Sequence, residues 1–155
     1  MEGTEFQKYF NHFPYLKNYF IGTFAIDTIP KSLKKDHFLI FNSETSDKKG
    51  QHWLCLYKEQ KRLLCFDSIG IDMIKKQLLE QYCQLKGVTE IIFNETQFQL
   101  STTDTCGKFV IYFLVQKSYN KDLNFTELLE EIFVDVPSKN EVVIQKFFDK
   151  VYKDL

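Results

Sequence analysis

Four residues in separate segments of the chain have the types and the order that thiol catalysis requires: His52, Asp67, Gln99 and Cys106. A cysteine attacks as the thiolate, whereas a free thiol with a pKa of about 8.5 is mostly protonated at neutral pH. A histidine within hydrogen-bond reach takes that proton, and a carboxylate behind the ring fixes its orientation. A side-chain amide and a backbone N–H can stabilise the oxyanion that forms. The set predicts nucleophilic catalysis by Cys106, with His52 as base, Asp67 as its orienting group and an amide donor at position 99.

The predicted secondary structure places the histidine and the carboxylate side by side. The runs His52–Tyr57 and Leu63–Phe66 have the composition of strands, and the polar segment 58–62 between them supplies a turn. His52 opens the first strand and Asp67 follows the second. Since antiparallel pairing brings these two ends together, we expect the ring and the carboxylate to meet.

Cys106 is predicted to begin a helix. The apolar run that follows it is compatible with a buried strand or a buried helix. We favour the helix because Asp104 and Thr105, just before it, are good N-cap residues. The N-terminus of a helix stabilises an anion, which lowers the pKa of a thiol placed there. Gly107 would leave room for the backbone to approach a substrate carbonyl.

Three assignments have alternative interpretations. Gln97 and Gln99 compete for the role of oxyanion donor on the loop that leads to Cys106. Asn42 either lines a substrate cleft beside the histidine or caps a strand. Trp53 either packs under the site or forms a wall of the cleft.

The remaining cysteines and histidines do not suggest a metal site. Cys55, Cys65 and Cys83 lie in apolar contexts and are expected to be small buried residues. No C-x-x-C pair occurs and the histidines are scattered, so we expect no metal and no cofactor. The first residues lack a cationic segment leading into an apolar one, which predicts a reducing compartment and free thiols. The longest apolar stretch, Phe109–Val115, is too short to span a bilayer, so we expect no membrane partner.

Length and composition indicate one ordinary folded unit. The 155 residues predict a single domain over 1–155, and 44% hydrophobic with 26% charged residues is typical of a folded chain. Twenty basic and twenty-one acidic residues give a net charge of −1, which argues against a broadly cationic nucleic-acid binder. The lysine pairs at 34–35, 48–49 and 75–76 are interpreted as solvated faces.

The remaining periodicities predict an α+β fold with a small, mainly antiparallel sheet packed with helices. Helical spacing covers 6–13, which Pro14 would end, and 71–86, which Gly87 would end. Two further amphipathic helices are predicted near 125–133 and 140–152, with Pro137 between them. Further short strands are predicted at 37–41 and 88–93.

Residues 20–119 also resemble a known family, the adenain group of cysteine peptidases, whose type member is the adenovirus maturation protease. The resemblance is greatest to the relatives encoded by Polinton/Maverick elements and virophages, and the ubiquitin-like-protein proteases share the His-Asp-Gln-Cys order more distantly. It rests on GTF at 22–24, Phe41-Asn42, GQHW at 50–53, FDSIG at 66–70, Gln99, and Cys106-Gly107 before a hydrophobic helix.

The resemblance implies a papain-like fold of the adenain type, with the catalytic cysteine at a helix N-terminus. It favours Gln99 over Gln97, because the family's glutamine precedes the cysteine by seven residues. Asp67 stands where the adenoviral enzyme has Glu, and either carboxylate can accept the ring N–H.

The implied function is that of a thiol peptidase that processes capsid or other virion precursors during viral maturation. It would act inside the host cell, in the nucleus or a cytoplasmic virus factory, and packaging in the virion stays open. Its partner would be a polypeptide substrate; the need for an activating peptide stays open, and the net charge argues against an essential DNA partner. A protease for ubiquitin-like modifiers is the alternative, and a catalytically dead binding module is a third hypothesis.

Overall fold

Five strands and six α-helices form an α+β fold within residues 1–44, 46–47 and 52–154, which a computed structural model describes. Gly50 and Gln51 of the GQHW motif, and the lysine pair 48–49, lie outside the described residues. The strands are β1 (Phe20–Ala25), β2 (Phe38–Asn42), β3 (Trp53–Glu59), β4 (Arg62–Phe66) and β5 (Glu90–Phe93). The helices are α1 (Glu5–His12), α2 (Pro14–Lys17), α3 (Met73–Tyr82), α4 (Cys106–Tyr119), α5 (Phe125–Ile132) and α6 (Pro137–Asp154).

The strands form one mixed sheet in the order β1-β2-β3-β4-β5. The β2–β3 and β3–β4 pairs are antiparallel, which confirms the predicted hairpin, whereas the β1–β2 and β4–β5 pairs are parallel. The prediction of a mainly antiparallel sheet is therefore wrong. Parallel neighbours require a crossover connection. The chain supplies one through α3, between β4 and β5, and another through residues 26–37, between β1 and β2.

The central strands are buried on both faces. Phe38 and Ile40 of β2 belong to the core on the side of α4, whereas Leu39 and Phe41 belong to the core on the side of α3. Successive side chains of a strand point to opposite faces, so each of these strands needs apolar residues at every position. This explains the unbroken apolar runs that predicted them.

The boundaries of α3 and α6 differ from the prediction. α3 begins after its N-cap Asp72 and ends at Tyr82 rather than at Gly87. The next residue, Cys83, is extended, and Leu85 beyond it is buried in the core on the side of α3. Pro137 opens α6 instead of preceding it, since the first position of a helix does not need an N–H. None of the helices in the described ranges has the length and apolar character needed to cross a bilayer.

A stack of phenylalanine rings connects the sheet, a loop, the helix α4 and the residue that follows α5. The ring of Phe66, at the end of β4, lies 4.6 Å from that of Phe113 in α4, centroid to centroid. Phe98 and Phe133 stack at 4.7 Å, and Phe133 also stacks on Phe66 at 5.8 Å. Phe66 and Phe98 each immediately precede a predicted site residue, so this cluster fixes where those residues lie.

Candidate active site

The β3–β4 hairpin brings His52 and Asp67 into direct contact. His52 immediately precedes β3 and Asp67 immediately follows β4, and the ring Nε2 lies 2.6 Å from Asp67 Oδ1. Asp67 is fully buried, whereas the His52 side chain is 19% exposed. The structure brings the two side chains together as the hairpin predicts, while their catalytic roles stay predictions.

The Asp67 carboxylate receives donors on both oxygens. The Ile69 N–H donates to Oδ1 at 3.0 Å, and Lys75 Nζ lies 2.9 Å from Oδ2. Burial raises the pKa of Asp67, but the hydrogen bond and charge of His52, together with the ammonium of Lys75, outweigh burial and hold that pKa below its ordinary value. The carboxylate is therefore ionised at neutral pH.

Asn94, which directly follows β5, holds the backbone of the Asp67 turn. The Asp67 N–H donates to Asn94 Oδ1 at 2.9 Å, and Asn94 Nδ2 donates to the Asp67 carbonyl at 2.6 Å. The turn also needs Gly70, whose φ is +84°, because a Cβ there would lie 2.4 Å from the Glu95 carbonyl oxygen. The FDSIG segment is thus shaped by its neighbour in the sheet as well as by its own residues.

Cys106 is the first residue of α4, and its sulfur lies at the start of β3. The Trp53 backbone nitrogen is 3.4 Å from Sγ, and the His52 side chain is the group that lowers the pKa of the thiol most. Burial raises the pKa of Cys106, but the hydrogen bond from His52 and the backbone N–H groups of Trp53 and Gly107 lower it below the ordinary thiol value. Because Asp67 occupies Nε2, Nδ1 is the ring nitrogen left for the sulfur.

The pKa of the His52 imidazole is shifted in the opposite direction, upward. Burial lowers the pKa of His52, but its bonds to Asp67 and Cys106 outweigh burial and raise the pKa to about 9. A depressed thiol pKa beside a raised imidazole pKa favours the thiolate–imidazolium pair at neutral pH.

The pKa values of the other three cysteines are raised rather than lowered. All four thiols are free. Burial raises the pKa of Cys55 and of Cys65, and it raises that of Cys83 to about 11. Their predicted role as buried apolar residues is confirmed by their place in the core. Among the four cysteines, only Cys106 has a lowered pKa.

Gln99 is buried beside the Asp67 turn and does not face the sulfur. Its Oε1 accepts a bond from Ser68 Oγ at 2.5 Å, and its Nε2 lies 3.1 Å from both the carbonyl and the hydroxyl oxygen of Thr103. The two amide hydrogens are therefore used within the loop that precedes Cys106. Gln97 is exposed, and its Nε2 donates to the Gln99 carbonyl at 2.8 Å. The oxyanion role of Gln99 stays a prediction.

A carboxylate from α6 fixes the rest of that loop. Glu141 accepts bonds from the Leu100 N–H at 3.0 Å, the Thr103 hydroxyl at 2.9 Å and the Thr105 hydroxyl at 2.8 Å. Thr105 occupies the N-cap position of α4, but its side chain does not cap the helix because the hydroxyl is turned toward Glu141. The prediction of a capping side chain there is wrong, although the helix begins at the predicted residue.

Two of the predicted substrate-binding residues have partners within the protein. Asn42, at the end of β2, accepts a bond from the Glu44 N–H at 3.1 Å, which is a local turn bond. It lies opposite Trp53 in the β2–β3 register. The Trp53 indole donates to the Met1 carbonyl at 2.9 Å. The tryptophan therefore joins the first residue to the start of β3.

Gly107 is packed against the N-terminal residues rather than facing open space. A Cβ on Gly107 would lie 3.2 Å from both Met1 Sδ and Phe6 Cζ. The small residue is needed there for this packing, which differs from the predicted role of leaving room for substrate. Its contribution to the site is its backbone N–H, which helps to lower the pKa of Cys106.

Three residues that hold the site were not predicted from the sequence. The sequence does contain an indication for Asn94, since a polar residue directly after a predicted strand lies at the edge of a sheet. Glu141 had none, because its partners are about forty residues away along the chain. Lys75 was interpreted as part of a solvated face, which is wrong: its side chain is 21% exposed and paired with Asp67.

No group of three or more His, Cys, Asp and Glu side chains suited to a metal ion occurs in the described part of the chain. The sequence matches no family model and has no significant match among curated proteins. A solved structure that is similar is the central domain of the uncharacterized Lpg1148 protein from Legionella pneumophila. It is 13% identical, with a TM-score of 0.46 and coverage of 88% of each chain. A likeness at that score supports no inference about this chain.

Proposed function

We propose that this chain is a cysteine peptidase with Cys106 as nucleophile, His52 as base and acid, and Asp67 as the orienting carboxylate. The observation that carries the proposal is the 2.6 Å contact between His52 Nε2 and Asp67 Oδ1, together with the position of the Cys106 sulfur, which lies 3.4 Å from the backbone nitrogen of Trp53, the residue next to His52. The lowered pKa of the thiol and the raised pKa of the imidazole support it.

The proposed reaction has two steps, formation of a thioester on Cys106 and its hydrolysis. The Cys106 thiolate attacks the scissile carbonyl carbon, and the electron pair of the C=O bond moves to its oxygen. When the carbonyl re-forms, the C–N bond breaks and the leaving amine takes the proton from the His52 imidazolium. The neutral ring then removes a proton from water, which attacks the thioester. Cleavage of the C–S bond releases the acid and restores the thiolate.

The oxyanion would be stabilised at the start of α4. The Gly107 N–H contributes to lowering the pKa of the thiol, and the first turn of a helix favours negative charge. Gln99 would join as a second donor only by exchanging its bonds to Thr103 for the substrate oxygen. In the proposed mechanism, the Gln99 side chain therefore changes its hydrogen-bond partners when substrate binds.

The finer fold type and the substrate belong to the same proposal. We infer a papain-like fold of the adenain type from the helix that begins at Cys106 and the hairpin that carries the other two groups. The ordered resemblance over residues 20–119 favours capsid or other virion precursors as substrates. The binding-module hypothesis is disfavoured because a module without catalysis does not need a thiol with a lowered pKa.

Cleavage assays with Cys106→Ala test the proposal. We expect cleavage of capsid precursor proteins to fall by at least about 10³-fold, with cooperative unfolding retained. Cys83→Ala removes a thiol of similar exposure outside the site, and it should leave cleavage unchanged. Mass mapping of the new chain ends identifies the cleaved bonds. Cleavage that survives in Cys106→Ala contradicts the proposal, and cleavage of di-ubiquitin or a SUMO fusion instead of capsid precursors assigns the alternative substrate class.

A further inference from the structure

Lys75 contacts the one oxygen of Asp67 that the histidine does not use. Its Nζ lies 2.9 Å from Oδ2, while His52 and the Ile69 N–H share Oδ1. Asp67 is fully buried and the Lys75 side chain is 21% exposed, so the pair is shielded from most of the solvent. A charge-assisted bond in this setting is stronger than an exposed ion pair.

The start of α3 sets the position of this lysine. Asp72 is the N-cap of α3, and its side chain accepts the Lys75 N–H at 2.8 Å. The Gly70 N–H donates to the Asp67 carbonyl at 2.9 Å, so the chain reverses between the carboxylate and the helix. This short path from β4 into α3 places Lys75 over the carboxylate that precedes it by eight residues.

We propose that Lys75 is a positioning residue of the catalytic centre, which fixes the Asp67 carboxylate and balances its charge. This inference rests on the proposed function. With His52 on one oxygen and the ammonium on the other, the carboxylate cannot rotate without losing a bond to one of them. The imidazole that depends on Asp67 is therefore held in a single orientation toward Cys106.

The charges of the site support an electrostatic role as well. Lys75, Asp67, His52 and Cys106 form a row of alternating charges that sums to zero when the thiolate–imidazolium pair is formed. Cys65 adds no charge to this row, because burial and then the charge of Asp67 raise its pKa well above the ordinary value and keep the thiol neutral. Without Lys75, the buried row would carry a net charge of −1, which is costly in a low-dielectric site.

Removal of the positive charge of Lys75 shifts the pKa values of Cys106 and His52 in the same direction. A cation stabilises the thiolate of Cys106 and destabilises the imidazolium of His52. Replacing Lys75 by a neutral residue therefore raises both pKa values. For one unit charge acting through a partly shielded site, we expect shifts of roughly 0.5 to 1 pH unit.

The test is the pH dependence of Cys106 alkylation by iodoacetamide in the full chain without substrate, resolved by mass spectrometry. In the native chain, one inflection reports thiolate formation and a second reports loss of the imidazolium proton. In Lys75→Gln, both inflections should move to higher pH by about 0.5 to 1 unit. Lys75→Met serves as a second neutral variant, and Lys75→Arg should keep the native profile.

Lys76→Gln is the matched control. Lys76 is the next residue of α3, and its Nζ pairs with Glu95 at 3.0 Å and lies over the ring of Phe93. Lys76→Gln should leave both inflections of the Cys106 alkylation profile at the pH values of the native chain. Unchanged inflections in folded Lys75→Gln and Lys75→Met overturn the role of Lys75, even if these variants unfold at lower temperature. A native chain in which Cys106 reacts no faster than Cys83 overturns the proposed function instead.

Discussion

At the residue scale, Cys106 and Cys83 show that the groups around a thiol, and not its exposure, decide the direction in which its pKa is shifted. The two residues are 5% and 8% exposed, respectively. Burial raises the pKa of both, but only Cys106 has an imidazole and backbone N–H groups directed at its sulfur. The resulting shifts have opposite signs, so the two thiols differ in the fraction of thiolate at neutral pH.

This difference predicts selective alkylation. At pH 7, iodoacetamide should modify Cys106 at least about tenfold faster than Cys83, because a thiol with a pKa of about 11 has little thiolate at that pH. Peptide mass mapping over time measures the two rates in one sample. In His52→Ala, the rate at Cys106 should fall toward that of Cys83. Equal rates in the native chain would show that the imidazole does not activate the thiol.

At the element scale, β5 positions the carboxylate through Asn94. The β4–β5 pair is parallel, so both strands end at the same edge of the sheet and Asn94 lies beside Asp67. The two bonds between Asn94 and the Asp67 backbone are buried, where an unpaired polar group costs about 1–3 kcal/mol.

Asn94→Ala should therefore lower the free energy of unfolding by about 1–3 kcal/mol and reduce the catalytic rate, because the Asp67 turn loses its support. Urea unfolding measures the first effect and cleavage kinetics the second. Asn11→Ala is the control, since the Asn11 side chain accepts a bond from Gln7 at the surface, and it should change stability by less than about 0.5 kcal/mol. A stable Asn94→Ala with native kinetics would contradict the anchoring role.

The strands and helices also show which elements a local sequence pattern can predict. The β3–β4 hairpin and the start of α4 were predicted because a short turn and an apolar run specify them locally. β1 was not predicted, since its pairing with β2 is parallel and non-local and Gly22 interrupts it with a φ of +137°. Lys75 and Glu141 were missed for a related reason: a charged residue in a helix gives no sign of the partner that tertiary packing brings to it.

At the scale of the whole molecule, the proposed nucleophile Cys106 begins α4, a helix with ten buried residues in the described part of the chain. Residues 109–115 of α4 are buried on every side, between the sheet and the helices α5 and α6. A helix that is apolar all round belongs in a core and not at a surface. Its first residue is therefore held by the packing of the entire α4 side of the protein.

Phe133 links this packing to the site, because its ring stacks on Phe66 at 5.8 Å, on Phe98 at 4.7 Å and on Phe109 at 5.6 Å. Phe133→Ala should lower the free energy of unfolding by about 3–5 kcal/mol, which thermal unfolding measures as a reduced midpoint. Cys106 should also be alkylated less selectively, since the segments before Asp67 and Gln99 lose a shared contact. Tyr119→Ala removes an aromatic ring that is 62% exposed, and it should leave both properties close to native. If Phe133→Ala were as stable as Tyr119→Ala, the aromatic stack would not be what holds the site together.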